Sequence, residues 1–353
     1  MGSEPTDEMA ATMTQKIQQL YQLPATILPQ KRKNSSSWDF YIFSRKMLSI
    51  AKKQILQIKP DIVYTRNIYN VKALNKIAKK NNAILVFDVR GVVAQESRLK
   101  HGLSIKYYFI LYKELTAIKT AERISCVSYN LKKWIEDKTA RTDAFVIPSC
   151  VDTEKFIFNP ESRKIIRKKF NIADTKIVFC YSGGLSKWQK IESIISLFEK
   201  IAQKLSNSSF LFLTPAKNQL KQIIENSKLP LTKCTITSCD HNDIPAYLSS
   251  ADLGIIMRDN TIINNVASPV KIGELLACGL PLILTDGIGD YSQKLSKAGI
   301  GILINESQNP SEQVLKFIRN YDFKELKFRA IKFAEENISW NSQLEKMKQL
   351  FNI

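Results

Sequence analysis

The chain is poor in the residues that build metal and redox centres. Its 353 residues include only two histidines, His101 and His241, and six cysteines, none in a C-x-x-C pair. A zinc site needs about four such ligands at set spacings, so no metal is expected here. The cysteines (Cys126, Cys150, Cys180, Cys234, Cys239 and Cys278) lie mostly in or beside apolar strand-like runs. That placement reads as reduced core thiols of a cytoplasmic protein. No apolar run approaches the roughly 20 residues that span a bilayer. The N-terminal "MGSEPTDEMA" is acidic and polar, unlike a secretory signal or a basic transit peptide. Repeats of solenoid length are missing, as are the G-K-[ST] ending of a P-loop and the G-x-G-x-x-G fingerprint. With no zinc motif, helix-turn-helix or aromatic stacking strand, nucleic acid is not an expected partner.

Positive charge is abundant. The net charge is +19, and residues 31–80 hold 13 Lys or Arg against 2 Asp. Such a segment either seeks an anionic membrane surface or reflects lysine-rich usage on solvated helix faces. The hydrophobic fraction of 44% suits a globular chain, and the length suits two domains, since single cores rarely exceed about 250–300 residues.

Strand-like and helix-like segments alternate almost throughout. Apolar runs appear at "ATILP", "DIVYT", "AILVFD", "RISCVS" and "AFVIP", then at "KIVFCYS", "SFLFLT", "TITS", "LGIIM", "LPLILT" and "IGILI". Stretches such as "WDFYIFSRKMLSIAKKQILQI" separate them with helical spacing. This pattern predicts α/β architecture with parallel sheets covered on both faces. The alternation breaks near 148–172, which predicts two doubly wound Rossmann-like domains facing across a cleft. The expected boundaries are 1–150, a linker at 151–172, a second domain at 173–325 and C-terminal helices at 326–353. Residues 1–23 are polar and helix-prone, so a first strand–helix unit is expected to be absent or replaced.

In such sheets ligands bind beyond the C-terminal ends of the strands, and three segments there carry chemistry. "YSGGLSKWQK" follows a strand: Gly183 and Gly184 let the backbone approach a ligand, and Lys187 is within reach of an anion. It also reads as an ordinary strand-to-helix turn. "ASPVKIGELLACGLPLI" opens a helix with Ser268 as N-cap and Pro269 in the first turn, followed by Val270. Lys271 then faces the positive end of the helix dipole, an unfavourable place unless an anion joins it. Glu274, one turn on, has the reach to accept two ribose hydroxyls. Together they describe a nucleoside diphosphate site, or else a Lys–Glu surface pair. "LVFDVRGVVAQESRLKHG" places Asp88, Arg90 and Glu96 at a strand end facing that site, unless Asp88 and Arg90 simply pair.

Taken in order over residues 38 to 345, these segments resemble family 4 retaining glycosyltransferases. The resemblance includes "PDIVYTRN", "VFDVRGVVAQE", "VIPSCVDTEKF", "FCYSGGLSKWQ", "ADLGIIM", "SPVKIGELLACGLPLI" with "GIGD", and "ISW". It implies the GT-B fold, with a C-terminal helix crossing back to the first domain. It also implies transfer of a sugar from a nucleotide-diphosphate donor without metal or cofactor. The acceptor would be a glycan or a lipid-linked molecule at the inner membrane face. Donor binding would then fall to Gly183, Gly184, Lys187, Ser268, Pro269, Val270, Lys271 and Glu274. Asp88, Arg90, Glu96 and Lys187 would act in catalysis. Two departures stand out: Val266 occupies the place of the first acid of an E-x7-E motif, and the Gly-rich turn lacks the common Arg. A degenerate, non-catalytic subunit is the alternative expectation.

Overall fold

The computed structural model describes residues 37–320 and 322–353. The chain divides into two compact units, residues 1–60 and 61–353. In the first, the described part is helix α1 (Ser37–Ile58), where helical spacing was expected. The expected strand "ATILP" and the polar stretch 1–23 lie outside the described residues.

The second unit carries two parallel sheets. Strands β1 (Ile62–Thr65), β2 (Ile84–Val89), β3 (Arg123–Cys126) and β4 (Phe145–Val146) form one sheet in sequence order. Helices α2 (Val71–Lys80), α3 (Val93–His101), α4 (Ile105–Thr120) and α5 (Tyr129–Thr139) connect them. After α6 (Pro160–Lys169), the second sheet is built from β5 (Ile177–Ser182), β6 (Ser208–Leu213), β7 (Cys234–Thr237), β8 (Leu253–Ile256), β9 (Leu282–Thr285) and β10 (Gly301–Ile304). Its spatial order is β10-β9-β8-β5-β6-β7. The chain therefore winds outward one way from β5 and then the other way from β8. Loops leaving β5 and β8 diverge between them, which is where such sheets bind ligands.

The strands read as continuous apolar runs because both faces are covered. Every residue of β6 is buried, as are five of six in β5. One face holds an aromatic cluster of Phe179, Phe198, Phe210 and Phe212, with Phe198 and Phe210 stacked at 4.5 Å. The other packs Leu275, Leu276, Leu282 and Leu295 against Val151 and Ile338. None of the six cysteines is paired, and Cys126, Cys150, Cys180 and Cys278 are buried.

Residues 148–151 carry the chain between the sheets. The Val151 amide donates to the Ile338 carbonyl at 2.9 Å. On the other side, a Cβ on Gly273 would lie 2.9 Å from that of Val151. A glycine inside α11 (Val270–Ala277) therefore lets the crossing segment press against the helix backbone. The last helices are α14 (Phe323–Asn337) and α15 (Leu344–Phe351). Helix α15 returns to the first sheet: Leu350 packs with Val86, Ile147 and Cys150. Arg123 Nη1 donates to the carbonyls of Gln349 and Leu350 at 2.7 and 2.9 Å, satisfying orphan acceptors at the helix end.

Candidate functional site

Helix α11 opens one residue later than expected. Pro269 occupies the N-cap, with no side-chain cap, and Val270 begins the helix exposed. The Ser268 hydroxyl does not cap it. Its Oγ accepts the Ser149 amide at 2.9 Å and meets the Tyr291 hydroxyl at 3.1 Å. Sequence spacing put a cap at Ser268, but tertiary partners outcompete the local bond, and the helix mouth stays free of protein acceptors from this side chain.

Lys271 lies in that first turn. It forms no ion pair among the described residues, and the surface pair with Glu274 is not made. Burial pushes its ammonium below the ordinary lysine range; Glu274 works against this and Arg258 adds to it. A desolvated cation without a counter-ion is unfavourable for the fold, and an arriving anion reverses that penalty. The Tyr181 ring crowds Gly183, and Lys271 lies beside it at ordinary contact distance. A Cβ there would stand 3.0 Å from Tyr181 Oη and 3.5 Å from Lys271 Cε. The turn is pinned from below, because the Tyr181 hydroxyl donates to the Gly184 carbonyl at 2.5 Å. Nothing lies within 4 Å of a Cβ added to Gly184, so space opens above it.

Lys187 is exposed at the start of a 3-10 turn, Lys187–Gln189. Lys190, which sequence reading passed over, is in the left-handed region at φ 48° and starts helix α7 (Ile191–Lys204). Its ammonium bridges Asp259 at 2.8 Å and Glu306 at 2.6 Å, tying together the loops after β8 and β10. Val266 is buried at 1% exposure, and its carbonyl accepts the Ser128 hydroxyl at 2.8 Å. A carboxylate at that position would point into the interior, which accounts for the apolar replacement.

Arg258 was also not legible in the sequence. It follows β8 directly. Its amide donates to Thr285 Oγ1 at 2.8 Å, and that hydroxyl donates back to the Arg258 carbonyl at 2.7 Å.

On the first sheet, Asp88 lies one residue before the end of β2 and is saturated. Oδ1 accepts Ser125 Oγ at 2.9 Å; Oδ2 accepts the Tyr64 hydroxyl and Arg66 Nε, the latter at 3.0 Å. Arg90 is further away at 3.7 Å. With both oxygens taken and 3% exposure, Asp88 positions the two arginines. Arg90 Nη2 donates to Ser149 Oγ at 2.9 Å. Because Ser149 also donates to Ser268, one chain of hydrogen bonds runs from Arg90 to the mouth of α11. Glu96, in the first turn of α3, lines a cavity of about 310 Å³ with Arg66, Arg90, Gly91 and Glu114. Glu114, missed in the sequence because it hides within an apolar helix, accepts the amides of Val93 and Ala94 at 2.6 and 3.2 Å. Burial pushes its carboxyl up to about 7, against the pull of those two amides.

The two sheets are joined at this level. Asp290 accepts the Tyr129 and Asn130 amides at 2.8 and 3.1 Å, so it caps α5 from the opposite side. Asn130 Nδ2 donates to the Asn265 carbonyl at 2.8 Å.

Comparison with known proteins agrees with this architecture. Residues 162–337 match the family described as glycosyl transferases group 1. The chain is 22% identical over 279 residues to MJ1069, an uncharacterized glycosyltransferase of Methanocaldococcus jannaschii, covering 77% of this chain and 68% of that protein. It is 26% identical over 178 residues to TuaH of Bacillus subtilis, provisionally named a teichuronic acid biosynthesis glycosyltransferase. That second match covers 49% of this chain and 42% of TuaH. Among solved structures, Alr3699/HepE from Anabaena in complex with UDP superposes with a TM-score of 0.72 at 15% identity, over 97% of this chain and 90% of that one. The chain thus has the GT-B fold, and its residues 162–337 match the group 1 glycosyl transferases.

Proposed function

We propose that the chain is a retaining, metal-independent glycosyltransferase that moves a sugar from a nucleotide-diphosphate donor to a glycan or lipid-linked acceptor in surface polysaccharide synthesis. The observation that carries this reading is Lys271, a desolvated cation without a counter-ion at the mouth of α11, against the Gly183–Gly184 turn. A diphosphate placed there meets Lys271 and the first backbone amides of α11, while Glu274 receives the ribose hydroxyls. As the bond from the anomeric carbon to the donor oxygen breaks, its electron pair and negative charge pass to the diphosphate. Preorganised positive charge at that point lowers the barrier. Arg90, held by Ser149, and Glu96 face the transferred sugar or the acceptor from the first sheet. TuaH is named for a surface polymer, and HepE was solved with UDP-glucose as well as UDP; both support the substrate class.

The test is thermal stabilisation by UDP, GDP, ADP and CMP, on the parent and on Glu274→Ala. A ligand at about 100 times its Kd stabilises by about 2.7 kcal/mol. One diphosphate is expected to raise the melting temperature of the parent, with that shift lost in Glu274→Ala. No shift with any nucleotide would remove the donor site from the account. The degenerate-subunit reading is favoured by Val266 and shares the binding prediction, so turnover separates the two.

A lipid-linked acceptor calls for a membrane face, and one observation favours it. Leu99, Leu103, Ile105, Tyr108, Phe109 and Tyr112 all stand exposed on consecutive helices α3 and α4 and the short loop between them, Ile105 at 91%. Arg98, Lys100, Lys106 and Lys113 surround them. Apolar side chains ringed by basic ones fit the interface of an anionic bilayer. No helix among the described residues is long and apolar enough to cross a membrane. Flotation with phosphatidylserine-containing vesicles is expected to recover the parent, and the double variant Ile105→Ser/Tyr108→Ser at least about tenfold less, for a loss of more than about 1.4 kcal/mol of apolar insertion. Equal recovery of both proteins would contradict this docking face.

A further inference from the structure

Lys271 brings one charge to a ligand that carries two or three, and Lys187 is exposed. Elsewhere around the second sheet the partly buried arginines are matched, as is Lys190. Arg163 and Arg167 share Asp252 at 2.7 Å each, and Lys190 holds Asp259 and Glu306. Arg258 is different. Its Nε is buried without a hydrogen-bond partner among the described residues. Nη1 makes one long contact, 3.4 Å, to Asn264 Oδ1. Among the described residues no carboxylate pairs with it.

Its position is specific. Arg258 leaves the C-terminal end of β8 where the loops of β5 and β8 diverge, and the double bond to Thr285 fixes its backbone. Its charge is felt by Tyr181, whose hydroxyl pins the Gly184 carbonyl, and by Lys271. Arg258 also lines a cavity of about 450 Å³ with Asp259, Asp286 and Glu306. Lys190 already neutralises two of those three acids, so the guanidinium is not needed there as a counter-ion.

We infer that Arg258 is a second fixed cation of the donor diphosphate site, presenting beside Lys271 and the Gly183–Gly184 turn a guanidinium that no described carboxylate holds. This rests on the reading of that turn as the donor site. Strand β8 pairs in parallel with β5, so the loop carrying Arg258 runs beside the Gly-rich turn, where nothing lies within 4 Å of a Cβ placed on Gly184. A planar fork suits a phosphate better than the point charge of a lysine.

The experiment compares the parent with Arg258→Met, Arg258→Gln and Arg258→Lys by calorimetric titration of inorganic pyrophosphate, UDP and uridine, with the ligand-free melting temperature alongside. The neutral variants are expected to melt no lower than the parent without ligand, since each removes an unpaired buried group. Both are expected to bind pyrophosphate and UDP at least tenfold more weakly, with uridine unchanged; Arg258→Lys falls between. If the neutral variants bind pyrophosphate and UDP as the parent does, or lose uridine to the same degree, Arg258 does not touch the diphosphate. A ligand-free melting temperature well below the parent's in both neutral variants, restored by Arg258→Lys, would make the residue structural and overturn the assignment. Should the parent bind neither pyrophosphate nor any nucleoside diphosphate, the donor-site reading itself falls and takes this assignment with it.

Discussion

Lys271→Met is expected to lower kcat by about 10²–10³-fold while the ligand-free protein melts slightly higher than the parent. The first effect follows from removing a preorganised positive charge at the point where the leaving group becomes an anion, typically worth about 3–4 kcal/mol of barrier. The second follows from desolvation: an ammonium without a counter-ion is unfavourable in the folded state, and methionine keeps its length and apolar stem without the charge. Affinity for the nucleoside diphosphate falls as well, by about 10–150-fold if a charged hydrogen bond contributes about 1.5–3 kcal/mol. Steady-state kinetics and a melting curve on one preparation check all three. A variant that loses activity because it unfolds would melt lower, so the opposite directions of the two readouts identify the role of the charge.

Asp252→Ala is expected to have the largest effect on stability, and none on the diphosphate site. Asp252 sits just before β8, at the other end of that strand from Arg258. Its carboxylate accepts Arg167 Nη2 and Arg163 Nη2, both at 2.7 Å, and the Val178 amide at 2.8 Å. Arg167 is 1% exposed, and its remaining donors reach the carbonyls of Ser250, Ala173 and Lys176. Removing one partner of a buried pair strands the other charge and costs about 3–5 kcal/mol. For a chain of this size that is a fall of roughly 6–20 °C in melting temperature. Thermal denaturation checks the fall. Titration with UDP below the transition checks that donor affinity is retained, since the pair holds α6 to the sheet and faces away from the ligand.

The sheets were legible because parallel strands covered on both sides must be apolar throughout, as "SFLFLT" and "KIVFCYS" are. The helix at "SPVKIGELLACG" was legible as well, through the proline at its start and the periodicity behind it. Its cap was not, because the hydrogen bond that claims Ser268 comes from Ser149, more than a hundred residues earlier. Asp88 shows the same limit: a charged residue at a strand end signals a site, but its saturation by Tyr64, Arg66 and Ser125 is a tertiary fact. Arg258 is one arginine in a chain crowded with cations. Its distinction is the lack of a carboxylate partner among the described residues, and only the assembled structure defines partners. Glycines were more informative, since Gly183 and Gly273 mark places where the Tyr181 ring and the crossing segment come too close for a side chain.

The central claim is that this donor site turns over. The direct measurement is incubation with the nucleotide-sugar whose diphosphate gives the melting shift, without acceptor, followed by NMR of the anomeric proton at early times. Slow release of nucleoside diphosphate is expected, together with free sugar first formed in the donor's own anomeric configuration. Both should disappear in Lys271→Met and Glu274→Ala. Release of the opposite anomer would contradict retention, and no release from a protein that binds the diphosphate would make it a binding subunit and not a transferase.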